Sequence, residues 1–234
     1  MNTEIKMRMK YLRKESPFTY FFERLFFILQ YLSPTTILFG SRVESQKNLV
    51  TSQEKPEFSE YPLKTVKKRA RQIEAYVVTW FVMLIVCAFL VTHTRCWLRG
   101  VALFLPFFRV FDIIQAAINI NFFDRLRLGK RKHYVLNVTR TLVLSIWNFF
   151  EILFSFAIVY SGMLDKLKNA ESVLDAYYFS VITQLTIGYG DIQPMGIVKF
   201  LAPLQGVLGL IFALFVLSRF VSFLPGVKAI QEED

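Results

Sequence analysis

The chain is 234 residues long and 54% hydrophobic, with 25 phenylalanines and a formal net charge of +10 at pH 7. That balance excludes a water-soluble domain and a disordered tail, and fits apolar segments in a bilayer separated by basic ones. Two cysteines, Cys87 in an apolar run and Cys96 just after it, and two histidines, His93 and His133, supply no disulfide framework, no metal-ligand spacing and no convergent catalytic set. Neither an enzyme nor a bound cofactor is expected.

From the N-terminus, Phe18 to Gly40 is aromatic-rich but carries Glu23 and Arg24 near its start and Ser33-Pro34 in its middle. It reads as an interfacial helix, with a fifth membrane span as the alternative. The same charges, with no small-residue cleavage site after them, argue against a cleavable signal peptide. Ser41 to Pro62 is polar and reads as a linker within a basic N-terminal region, residues 1–72.

A helix needs ~20 mostly apolar residues to cross hydrocarbon. Four stretches qualify: Ala75–Thr92, without charge; Gly100–Ile120, with Arg109 and Asp112; Leu142–Met163, with Glu151; and Ile197–Leu224, with Lys199 and Arg219 near its ends. The first two make an accessory pair (73–122). A basic linker (123–141) leads to the last two (142–224), and a short tail (225–234) follows, in which no regulatory module is expected. Between the last two spans, Glu171–Gln193 is apolar but too short and too broken by glycine to cross. It is predicted to enter the membrane and return on the same side, so the fold class is all-α membrane: four transmembrane helices plus one re-entrant segment.

Lysine and arginine favour the cytoplasmic side of short loops. Lys64, Lys67, Lys68, Arg69 and Arg71 precede the first span, and Arg125, Arg127, Lys130, Arg131 and Lys132 separate the second from the third. Both groups are therefore predicted inside, which makes the chain multi-pass in the cell membrane with both termini cytoplasmic and the re-entrant mouth outside. Each basic run flanks a span directly, so it is read as topology with attraction to anionic membrane lipids, not as a nucleic-acid contact.

Irregular backbone at membrane depth survives only when buried in protein or lining a water-filled path. In Thr186-Ile187-Gly188-Tyr189-Gly190, glycine at alternate positions opens backbone angles closed to other residues and lets successive carbonyls point one way. A column of carbonyl oxygens is a cation site, and several chains around an axis would turn each level into a ring that replaces the water of a monovalent cation.

The run TIGYGD resembles the selectivity filter of potassium channels, usually TVGYGD, and Leu142 to Leu224 resembles their two-span pore module. The resemblance implies a homotetramer, with K+ as permeant ion and partner. It implies coordination by Thr186, Ile187, Gly188 and Tyr189, with the Thr186 hydroxyl innermost and Gly190 at the outer mouth. Asp191 stands where the family's aspartate braces the filter against an aromatic pair on the pore helix, here Tyr178 and Phe179 instead of the tryptophans of many members. Tyr178 keeps a donor hydroxyl; Phe179 only packs. Thr183 is grouped with these filter supports, and Leu185 departs from the family's second threonine. The pore helix, about Ser172 to Leu185, would aim its negative C-terminal end at the central cavity.

Gly206 and Gly209 interrupt the large apolar residues of the fourth span, as a gating hinge near the family's position or as sites of close helix packing. Pro203 would loosen the same helix. A voltage sensor needs arginines at every third position, since one charge moved through the field yields ~2.3 kcal/mol per 100 mV; the second span has Arg109 alone, with Asp112 one turn away. Intramembrane charges are costly and usually paired. Arg109 is therefore expected to meet Glu151, on a stripe with Asn148 and Ser155, as gating coupling or as glue between helices. The best-supported function is passive, potassium-selective permeation. The alternative is a non-conducting regulatory subunit that assembles with other channels. A transporter built of four filter-like repeats is excluded by the single re-entrant segment.

Overall fold

The computed structural model describes residues 17–29, 63–94, 97–119 and 138–223. Six helices follow in order: α1 (Pro17–Leu29), α2 (Leu63–His93), α3 (Trp97–Ile118), α4 (Val138–Ser161), α5 (Val173–Gln184) and α6 (Val198–Phe223). Two short strands, β1 (Leu167–Lys168) and β2 (Gln193–Pro194), pair antiparallel on either side of α5.

Among the described residues, four helices are long and apolar enough to cross a membrane: Ala70–His93, Trp97–Ile118, Thr139–Ser161 and Val198–Ser218. The protein is therefore an all-α, multi-pass membrane protein, with the spans displaced by a few residues from the predicted bounds. The largest displacement is at α2. It starts at Leu63 because Lys and Arg are good helix formers and no Gly or Pro follows Pro62, so the basic run before the first span is the first turns of the span's own helix. Of the predicted interfacial element Phe18–Gly40, the described part is α1, 13 residues with Pro17 in the first turn, where a missing amide costs nothing. Residues 30–40, the linker 41–62, Cys96 and the basic loop 125–132 with His133 lie outside the described residues.

α4 is the axis of the bundle. It packs against α2, α3, α5 and α6, and half of its span is buried, against 28% for the spans of α2 and α6. Ile152, Phe156, Val159 and Tyr160 on α4 share one core with Ile182 of α5 and Leu201 and Phe212 of α6. A second core joins Leu84, Cys87 and Val91 of α2 to Ala102 of α3 and Ile158 of α4, which gives Cys87 a packing role. Leu204, Val207, Leu210, Leu214 and Leu217 of α6 remain exposed.

Candidate functional site: a short helix, a glycine strip and the residues around them

α5 begins with a reciprocal cap. The Ser172 hydroxyl accepts from the amide of Asp175 (3.4 Å), and the Asp175 carboxylate accepts from the amides of Ser172 and Glu171 (2.8 Å each). These two bonds, the one from Glu171 first, hold the Asp175 carboxyl below its ordinary 3.8. A depressed folded value stabilises above the unfolded one and is lost as pH falls through the folded one. The helix start should therefore weaken as pH drops below 3.8. Melting of the detergent-solubilised protein between pH 6 and pH 3 checks this. Asp175→Asn should lower the melting temperature at pH 6 and flatten its acid slope, and an unchanged slope would refute the assignment.

The other end of α5 stops in a Schellman arrangement. The Ile187 amide donates to the Ile182 carbonyl (2.8 Å) and the Thr186 amide to the Thr183 carbonyl (3.2 Å). The left-handed position this stop requires, usually glycine, is filled by Thr186 at φ 56°. A β-branched residue held there costs ~1–3 kcal/mol, so its surroundings must impose it. Left-handed backbone recurs at Gly188 (φ 57°) and Gly190 (φ 82°), with Ile187 and Tyr189 between them outside that region. From Leu185 to Asp191 every residue is exposed, Tyr189 at 71%.

The supports lie behind and outside this strip. The Asp191 carboxylate beside the Tyr178 hydroxyl is the foremost reason that the Tyr178 pKa is raised. Phe179 is buried with its ring edge-on to Tyr160 (centroids 5.1 Å). Thr183 contributes its carbonyl to the helix stop. Sequence reasoning missed the outer bracket. There the Asn169 amide donates to the Asp191 carbonyl (2.8 Å), and Leu167 and Lys168 pair with Pro194 and Gln193. Asn169 at φ 67° was its available signal, since asparagine is the residue most often left-handed after glycine.

On α6, Gly206 and Gly209 sit within an unbroken helix. A methyl at Gly209 would lie 2.8 Å from Gln184 Cγ and 3.1 Å from its carbonyl oxygen, whereas one at Gly206 would make an ordinary 3.7 Å contact with the Thr183 carbonyl. Close packing against α5 thus has a geometric basis at Gly209. Gln184 and Gln205, both buried and polar, are a second miss.

Away from the strip, Arg109, Asp112, Asn148 and Glu151 meet. Arg109 Nε donates to Glu151 Oε2 (2.9 Å), Nη1 to Asp112 Oδ2 (2.8 Å) and Nη2 to both Glu151 Oε2 and Asn148 Oδ1. Arg109, Asp112 and Glu151 are at most 2% exposed. Tyr76 of α2 donates its hydroxyl to Asp112 (2.8 Å), Trp147 donates to Glu151 (3.2 Å), and the guanidinium faces the rings of Tyr76 and Trp80 at 5.3 and 5.6 Å. The cluster joins α2, α3 and α4. Ser155 of the predicted stripe turns its hydroxyl to the Glu151 carbonyl instead. Tyr76 and Trp80, four apart on one helix face, were the overlooked signal.

Residues 138–225, from α4 to just past α6, match a family model described as "Ion channel". The match supports an ion channel, a class of protein that is not an enzyme, for this part of the chain; α2 and α3 lie outside it. No curated protein and no solved structure matches the chain.

Proposed function

We propose that the ion-channel domain of this chain is potassium-selective and conducts K+ passively through a tetramer of identical chains in the cell membrane. The observation that carries this reading is the strip Thr186–Gly190 at the end of a pore helix, with left-handed backbone at alternate positions. That alternation supports carbonyls turned to one side, which four copies around an axis would convert into stacked rings for a dehydrated cation. Exposure of Ile187 (45%) and Tyr189 (71%) in a single protomer supports a role that one chain leaves incomplete. Thr186, Ile187, Gly188 and Tyr189 would coordinate K+, Gly190 would shape the outer mouth, and Tyr178 with Asp191 would brace it. Lys and Arg on the approach to α2 support cytoplasmic termini and contact with anionic lipids.

The test is flux from liposomes holding the purified full chain, with K+ compared against Na+ and Ba2+ added as blocker. K+ flux well above Na+ flux and sensitive to Ba2+ is expected. Flux that does not distinguish the ions would overturn the selectivity, and a silent but tetrameric protein would favour a non-conducting subunit.

A further inference from the structure

Behind the pore helix, three helices are joined by buried side chains that the proposed function does not yet use. Gln205 of α6, Gln184 and Ser180 of α5 and Tyr160 of α4 are each at most 3% exposed. Gln205 Nε2 donates toward Gln184 Oε1 (3.1 Å), Ser180 Oγ (2.8 Å) and the Ser180 carbonyl (3.1 Å), while Gln205 Oε1 accepts from the Tyr160 hydroxyl (2.9 Å). Gln184 Nε2 passes the chain on to the Phe149 carbonyl (3.0 Å), and Ser180 Oγ to the Leu153 carbonyl (2.8 Å). Both amides are thereby satisfied in a region where an unpaired one would be costly.

The location of this network is specific. Gln184 is the last residue of α5, and the strained Thr186 follows two positions later. One turn beyond Gln205, Gly209 provides the floor on which the Gln184 side chain rests, and any larger residue would strike it. The inner helix thus grips the end of the pore helix at the point where the strip begins. Apolar contacts alone would let the two helices slide against each other, whereas a directional amide pair fixes their depth and rotation.

We infer that Gln184 and Gln205 are positioning residues for ion selection: their amide pair sets the inner end of the strip, where the Thr186 level would form. This rests on the potassium-selective reading. Without the pair, Thr186 relaxes toward ordinary backbone angles and its level loses a fixed width. K+ and Na+ then become less distinct, while the apolar core still holds the helices together.

Methionine matches glutamine in length without its hydrogen bonds, so Gln184→Met, Gln205→Met and the double variant isolate the pair. Each is reconstituted as the full chain, with tetramer content by size exclusion and the K+/Na+ permeability ratio as readouts. Assembly should be retained while the ratio falls about tenfold in each single variant, with little further loss in the double, because both remove one shared interaction. Assembled single variants with the unaltered ratio would overturn the inference. If either fails to assemble, Tyr160→Phe removes only the hydroxyl that holds Gln205; a smaller drop in the ratio supports the pair, and no drop refutes it. An unsubstituted protein that fails to discriminate K+ from Na+ overturns the function and this inference together, whereas a selective one with unchanged variants overturns this inference alone.

Discussion

Gly188→Ala should abolish selective K+ flux while leaving the protein folded. An alanine Cβ at this position meets nothing within 4 Å in the protomer, so crowding is not the cause. The cause is the backbone. At φ 57° an L side chain lies too close to the carbonyl oxygen that follows, at ~1–2 kcal/mol per residue. Four copies around one axis would accumulate about 4–8 kcal/mol, which corresponds to roughly a thousandfold or more in the population of the intact ring. The chain escapes that strain by turning its peptides, and the carbonyl column is lost. Gly196→Ala is the matched control. It carries the same class of strain (φ 51°) with an ordinary 3.4 Å contact to Lys166, but it lies beyond the strip. K+ and Na+ flux of the two variants, beside their tetramer content, decides the matter. Selective flux retained in Gly188→Ala would remove the alternating backbone from the mechanism.

Arg109→Met should be the most destabilising single substitution among the described charged residues. It leaves the carboxylates of Asp112 and Glu151, each at most 1% exposed, without their guanidinium. Removing one partner of a buried pair costs about 3–5 kcal/mol, mostly because the other charge stays buried. Neutralising the carboxylates as well, in Arg109→Met with Asp112→Asn and Glu151→Gln, should return most of the lost stability, since the three described charges are then removed together. Glu151→Gln alone should be milder. Among the described residues the cluster holds one cation and two carboxylates, and this change leaves Arg109 paired with Asp112. Thermal melting and yield of monodisperse protein rank the variants. A single Arg109→Met no worse than the triple variant would show that volume, not charge, matters there. Unchanged assembly together with unchanged gating in Glu151→Gln would deny that residue a role in either.

The comparison of chain and structure divides along one physical line. Hydropathy, glycine spacing and loop charge act over a few residues or a single span. From them the four spans and the left-handed positions of the glycine strip could be read directly, and counting depth along two helices was enough to bring Arg109 opposite Glu151. Where the reading stopped short, the deciding contact was between helices. Gln184, Gln205 and Ser180 looked like isolated polar residues in apolar runs, and Asn169 like an ordinary loop residue. Inside a bilayer nearly every face of a helix is apolar, so the pattern along α6 does not say which way the helix is turned. Rotation and depth are set by what packs: the small surface of Gly209 against Gln184, the rings of Tyr76 and Trp80 over Arg109. The sequence thus carried the four spans and the glycine spacing of the strip. Which buried side chains grip that strip from behind depended on the mutual rotation of three helices, because hydrogen bonds require distances and angles that no single helix contains.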